Sequence, residues 1–279
     1  MRTLIFNSTN LVNTPSKNIY RYIFPNGARF NKGEQIALAS LVIPYSWYNI
    51  SAALSNNTLQ IIYNNITTNI VIPDGFYTII TLNSYIKSIS LNTTNNLPYA
   101  ISPDNLVVYF YELVQNTTFY SIQLNSYPAI LPSGYTNPKG AIFTGLTPLI
   151  KINTKLSELI GLLPNINYPT TPQNTIYSIY SAQQNLIPNF SGDANSIIIE
   201  CNIVENSLTS SSKLLYNFSI VDTTYGRNIV VSPSSFSFIN ILESNYQYIE
   251  IIFKDSLFNN LQIKDPNLSI QLIVKGVNE

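Results

Sequence analysis

Residues 268–275 read LSIQLIVK, and the alternation in this stretch decides the fold class. Leu268, Ile270, Leu272 and Val274 fall on one side of an extended chain. A period of two belongs to a strand with one wet face, as in antiparallel sheets. The same pattern recurs upstream. In 214–220 (LLYNFSI), Leu214, Tyr216, Phe218 and Ile220 share a face; in 119–125 (FYSIQLN), Tyr120, Ile122 and Leu124 do. Residues 35–43 (QIALASLVI) are apolar on both sides and read as a central strand. Further strands are expected near 2–6, 18–24, 57–63, 68–72, 106–112, 195–204, 236–241 and 246–253. Short strands separated by Pro, Gly, Asn and Ser clusters favour a sandwich or barrel over an α/β fold.

Helical periodicity is confined to two places. Residues 71–89 read VIPDGFYTIITLNSYIKSI. Pro73-Asp74-Gly75 has turn chemistry: Pro fixes φ, Asp can bond back to its own backbone, and Gly permits positive φ. After the turn, Leu82, Ile86 and Ile89, with Tyr85 beside them, share one face of a helix at about 78–90 that covers a sheet. A second short helix is expected at 154–162 (TKLSELIGL), capped by Thr154, with Leu156, Leu159 and Ile160 on one face and Gly161 and Pro164 to stop it. Residues 126–148 and 163–194, rich in Pro, Asn, Tyr and Ser, read as long loops.

The chain has 279 residues, of which only 10% are charged; about 25% is typical. Its net charge is zero and it holds 20 Tyr. Low charge with abundant Tyr is the composition of protein–protein interface cores. One local asymmetry exists. Arg2, Lys17, Arg21, Arg29 and Lys32 all precede the first acidic residue, Glu34. This segment can face a polyanion, or its charges can simply guard strand edges. The single Cys201 allows no intramolecular disulfide and reads as an inert buried thiol. The N-terminus lacks a secretory pattern and no apolar run reaches the length of a membrane span, so a reducing cytosol is expected.

Catalytic chemistry has little to work with. The sequence contains no His, which removes the commonest general base, the commonest metal ligand and every Ser–His or Cys–His pair. No phosphate-binding glycine loop is present. Asp255 and Asp265, with Asn259, Asn260 and Asn267 nearby, are hard oxygen ligands suited to Ca²⁺. Their spacing matches no Ca²⁺ loop, and such clusters also form plain turns. No enzymatic activity, metal or cofactor is therefore expected.

Several stretches, in order, resemble one family. They are FNSTNLVNTPSKNIYRYIFP at 6–25, QIALASLVIPYSWYNI at 35–50, IPDGFYTIITLNSYI at 72–86, KLSELIGLLPNINYP at 155–169, SIIIECNIVENS at 196–207, YG at 225–226 and IEIIFKDSLFNNLQIKDPNLSIQLIV at 249–274. Together they resemble the penton, or minor capsid, proteins of virophages and polinton-like viruses. The resemblance implies an all-β chain: a single jelly-roll antiparallel sandwich over 1–279, with a loop-rich or inserted region at about 126–194. It also implies a homopentamer at the five-fold vertices of an icosahedral capsid, in contact with a major capsid protein of two jelly rolls. The chain would be assembled in the host cytoplasm and reside in the virion. Arg2, Lys17, Arg21, Arg29 and Lys32 would then face the interior, where packaged DNA can be met non-specifically. Asp74, Gly75, Leu82 and Ile86 would be structural. The other reading is a jelly-roll carbohydrate-binding or host-attachment module, with Tyr135, Tyr168, Tyr177 and Tyr180 stacking on sugars.

Overall fold

The chain opens with three strands, β1 (Arg2–Asn7), β2 (Ile19–Phe30) and β3 (Gln35–Pro44). The middle holds β4 (Thr58–Tyr63), β5 (Ile66–Val71), helix α1 (Ile79–Ile89), β6 (Tyr99–Ile101), β7 (Val107–Tyr109), β8 (Tyr111–Asn116), β9 (Ser121–Ser126), β10 (Leu149–Ile152), helix α2 (Thr154–Ile160), β11 (Asn167–Tyr168) and β12 (Ser178–Ser181). The last part is β13 (Ser196–Cys201), β14 (Leu214–Ser219), β15 (Asn228–Val231), β16 (Ile239–Asn240), β17 (Ser244–Lys254) and β18 (Ser269–Lys275). This computed structural model describes residues 1–116, 121–140, 143–174, 178–181, 187–190, 192–207, 209, 211–220 and 223–276. The chain divides into two compact units, Met1–Trp47 with Asp193–Glu279, and Tyr48–Gly192.

The first unit is a sandwich of two antiparallel sheets. One runs β1-β18-β3-β15, with β16 also on β3; the other runs β14-β13-β17-β2. Take β15 and β16 as one interrupted strand, since both pair β3. Counted along this unit, the orders are then 1-8-3-6 and 5-4-7-2, the arrangement of a jelly roll. Long-range register closes it: Arg2 lies opposite Val274, and Ile251 opposite Tyr20. Phe6, Ile36, Leu38, Leu41, Ile43, Ile199, Phe253, Ile270 and Leu272 are buried in this unit. Tyr20 meets Phe253 edge to face at 6.0 Å, a favoured arrangement of aromatic rings.

The sandwich strands obey the expected alternation where pairing is regular and depart from it at bulges. In β18, Ile270, Leu272 and Val274 are buried as the alternation requires, and Ile273 is buried with them, beyond a break in register with β3 between Gln271 and Leu272. In β14, the buried residues are Leu215 and Phe218, not the full set Leu214, Tyr216, Phe218 and Ile220. The ladder slips between Ile199 and Glu200, so Leu215 becomes the extra residue and turns inward.

The second unit has its own core and sheets, β11-β10-β4-β5, β12-β9-β8 and the pair β6-β7. This unit, Tyr48–Gly192, holds nearly all of the region at about 126–194 together with the residues before it. Leu59 and Ile61 of β4, Ile70 of β5, and Leu82 and Ile86 of α1 share one hydrophobic cluster with Ile150, Ile152 and Leu156. That common core makes 48–125 part of the same unit as the loops. β9 also differs from expectation. It is the middle strand of its sheet, and Ser121, Asn125 and Ser126 are buried along with Ile122 and Leu124. Two of these polar side chains are hydrogen-bonded: Asn125 donates to Glu112 at 3.2 Å, and Ser126 to the Pro148 carbonyl at 2.8 Å; the buried Ser121 hydroxyl finds no partner among the described residues. Tyr120 lies outside the described residues.

Both helices form where periodicity places them. Thr78 caps α1 by a reciprocal capping box with Thr81, and Leu82 and Ile86 are its buried residues. Tyr85 and Ile89 pack at the edge of the same core. In α2 the cap is Asn153, not Thr154: its Oδ1 accepts from Leu156 N at 2.7 Å. Gly161 ends the helix at φ 80°, a left-handed position that favours glycine. Among the described residues no helix is long and apolar enough to cross a membrane.

Candidate functional site

The turn before α1 is built differently from its sequence reading. Asp74 does not bond its own loop; its Oδ1 accepts from Ala52 N at 2.7 Å. Gly75 does not sit at positive φ. It forms a bridge with Ile50, donating to the Ile50 carbonyl at 2.9 Å and accepting from Ile50 N at 3.2 Å. An added Cβ there would lie 3.1 Å from the Tyr77 ring, which would have to shift slightly. The turn therefore acts as a splice between two distant segments.

Asn49 completes that splice and had no signal in the sequence. It is buried; its Oδ1 accepts from Tyr77 N at 2.8 Å, and its Nδ2 donates to the carbonyls of Tyr77 and Phe190, each at 2.8 Å. One amide thus pairs with a backbone as a strand would, and also joins the first residues of the unit to its last. Asn56 repeats the device nearby, donating to the Asn49 carbonyl and accepting from Ser51 N.

Helix α1 is fixed to β8 by polar contacts around its buried face. Asn83 Oδ1 accepts from Leu113 N at 2.8 Å, and the Tyr111 hydroxyl lies 2.6 Å from Ser90 Oγ. Lys87 pairs with Glu112 at 2.9 Å. Burial alone would raise the Glu112 pKa, but hydrogen bonds from Lys87, Asn125 and Tyr127 outweigh it and hold the carboxyl below its usual value.

The five basic residues occupy the edges of the sandwich. Arg2 is on the edge strand β1; Arg21 and Arg29 are on the edge strand β2; Lys17 and Lys32 flank β2. Arg2 pairs with Glu34 at 2.6 Å and lies over the Phe30 ring. Arg21 pairs with Glu250 at 2.5 Å and lies over Tyr248. Lys17 donates to the Lys264 carbonyl at 3.4 Å. Arg29 and Lys32 are exposed. Two of the five charges are therefore neutralised at short range, and the field of the segment is weaker than its sequence suggests.

Asp255 and Asp265 each hold a turn of their own. Asp255 Oδ1 accepts from Leu257 N and Asn259 N, each at 2.9 Å, while Oδ2 accepts from Asn259 Nδ2. Asp265 Oδ1 caps its own turn through Asn267 N at 3.0 Å. Each carboxylate is a turn former. Among the described residues no three His, Cys, Asp or Glu side chains come together as a metal site. Cys201 is fully buried in β13, and burial pushes its thiol up to about 12; a thiol so shifted holds little thiolate at neutral pH.

Of the tyrosines named for sugar stacking, the side chains of Tyr135 and Tyr168 are described. Tyr168 is buried, with its hydroxyl donating to the Leu163 carbonyl at 3.3 Å. Tyr135 packs against the core of its unit. Tyr177 and the side chain of Tyr180 lie outside the described residues.

No family model matches the chain, and no curated protein matches it. Among solved structures it is similar to a mavirus penton protein, known from a crystal structure of the selenomethionine-labelled protein. The TM-score is 0.47 and the sequence identity 8%, with 98% of this chain and 97% of that chain covered. The jelly-roll assignment stands on the strand pairing described above.

Proposed function

We propose that this chain is a structural subunit of a viral capsid, of the penton kind. The observation that carries the reading is the jelly-roll strand order of the terminal segments, interrupted between its third and fourth strands by a separately cored unit. Jelly rolls recur in viral capsids, and also in lectins, so fold by itself does not decide function. The ordered resemblance to virophage and polinton-like pentons supplies the choice between them. A shell subunit also suits the composition: 10% charge and 20 Tyr leave a surface suited to broad, weakly charged contacts.

In this reading five copies close a ring through heterologous side-to-side contacts, because two-fold interfaces cannot build a five-fold ring. The ring contacts the major capsid protein, is assembled in the host cytoplasm, and resides at the vertex of the virion. Lys17, Arg29 and Lys32, with the paired Arg2 and Arg21, face the interior; contact with packaged DNA is non-specific and weakened by salt. The chain acts without catalysis.

Sedimentation velocity of the purified chain, alone and mixed with its major capsid protein, tests the proposal together with electron cryomicroscopy of particles. The expected result is a pentamer in at least one sample and density for this chain at the five-fold axes. Persistent monomers or dimers with no density at the vertices would sink it.

A further inference from the structure

β5 is the outer strand of its sheet, and its hydrogen-bonding phase can be read from one contact. Ile72 N donates to the Asn57 carbonyl at 2.7 Å. In an antiparallel ladder, residues that exchange bonds with their opposite number alternate with residues that do not. Followed down the register, with Ile70 opposite Leu59 and Thr68 opposite Ile61, this sends the N–H and C=O groups of Ile66, Thr68 and Ile70 inward to β4. The corresponding groups of Thr67, Asn69 and Val71 point away from the sheet. The Tyr85 hydroxyl agrees with this phase: it donates to the Val71 carbonyl at 2.9 Å.

The outward groups open onto a groove of about 510 Å³. β5 is one wall; Tyr85 and Ile89 of α1, with Asn95 and its neighbours, form the other. Among the described residues no charged side chain lines it. Edge strands are normally guarded by charge, proline or a bulge. Two of the sandwich's outer strands follow that rule, and a third, β15, is only four residues long. β1 carries Arg2, and β2 carries Arg21, Pro25, Arg29 and a break in register. β5 reads ITTNIV, with no charge, no proline and an unbroken register. Its Thr67, Asn69 and Val71 are exposed.

We infer that this groove takes an extended, uncharged segment of another polypeptide, which adds to β5 as a further strand. The main chain of Thr67 and Asn69 supplies two donors and two acceptors along the open edge, and the Val71 N–H extends the row. Strand addition of this kind draws affinity from main-chain bonds and selectivity from alternate side chains. The neutral lining sets the charge of the occupant, since a charged side chain buried there would lose its hydration without finding a partner. The inference does not depend on the capsid reading; a pentamer in sedimentation is compatible with either result below.

The test uses the full chain, ¹⁵N-labelled, and a capped hexapeptide of alternating Thr and Val as the probe. Amide exchange is read residue by residue. The amides of Thr67, Asn69 and Val71 should exchange freely in the protein alone and at least tenfold more slowly with saturating peptide, while Thr68 and Ile70 stay unchanged. Asn69→Pro removes an outward N–H and leaves the ladder to β4. Thr67→Lys places a guarding charge at an exposed position and keeps the melting temperature. Both variants should abolish the protection, and Thr67→Lys decides the matter if the proline variant unfolds. No protection by the peptide, or protection that survives Thr67→Lys, overturns the inference. Protection that grows with protein concentration in the absence of peptide also overturns it, because the occupant is then a second copy of this chain.

Discussion

Asn49 and Phe190 are joined by a 2.8 Å hydrogen bond although 141 residues separate them. The same side chain amide pairs with both backbone groups of Tyr77. The second unit therefore depends, at its first and last residues, on one buried amide. Asn49→Ala leaves three backbone groups without their partner. Unmet buried groups cost about 1–3 kcal/mol each, and partial access to water reduces the sum, so a loss of about 3 kcal/mol is expected. Urea unfolding followed by circular dichroism measures it. An unchanged midpoint would show that the ends of the unit are held by other contacts.

Gly75 and Gly161 should respond unequally to the same substitution. Gly161 sits at φ 80°, so Gly161→Ala should cost about 1 kcal/mol or more. Gly75 lies outside the left-handed region and opposes only the Tyr77 ring. Gly75→Ala should stay within about 1 kcal/mol of the native protein, the ring's displacement set against the lower entropy of the unfolded chain. The bulkier pair Asp74→Ala with Gly75→Val also removes the bond to Ala52 N and crowds Tyr77, and should lower the melting temperature clearly. Thermal melts of the three variants decide. A larger loss at Gly75→Ala than at Gly161→Ala would contradict the geometry.

Asp255 is a turn former whose Oδ1 holds two backbone N–H groups. Asp255→Ala should cost about 2 kcal/mol, and Asp255→Asn less, since the amide oxygen still accepts. Added Ca²⁺ or EDTA should leave the melting temperature unchanged. A Ca²⁺-dependent rise that disappears in Asp265→Asn would restore the metal reading.

Glu112 predicts part of the acid limb of stability. Its carboxyl is held below its usual value in the folded chain. A depressed carboxyl adds stability above the unfolded pKa, near 4.3, and loses it as pH falls through the folded value. Between pH 7 and pH 3 the native protein should therefore lose more stability than Glu112→Gln. Urea midpoints at the two pH values give the comparison; parallel losses would mean that the Lys87 contact contributes nothing.

The strands were legible where a single residue pattern was enough. β1, β4 and β18 lie close to where alternation places them, and α1 is bracketed by Thr78 and Ser90 as its periodicity requires. β6, β10 and β15 were missed, being three or four residues long and too short to display a period. The turn at Asp74-Gly75 was found by composition, yet its function was misread. Local turn chemistry predicts bonds within the turn, whereas these residues bond Ala52 and Ile50. Asn49 was invisible because a buried, triply bonded asparagine has the same letter as any other in an Asn-rich chain.

The sequence by itself determined the all-β class, the two helices and the poverty of catalytic groups. Each of these depends on residue type and on spacing within about ten positions. Tertiary structure decided which strands meet, where the second unit begins, and which faces are covered. Arg2 faces Val274, Ile50 bridges Gly75, and Ser121 and Asn125 are buried despite their polarity. Pairing of this kind depends on groups brought together from distant parts of the chain, and hydrogen bonds made at that distance leave no period in the residues that make them.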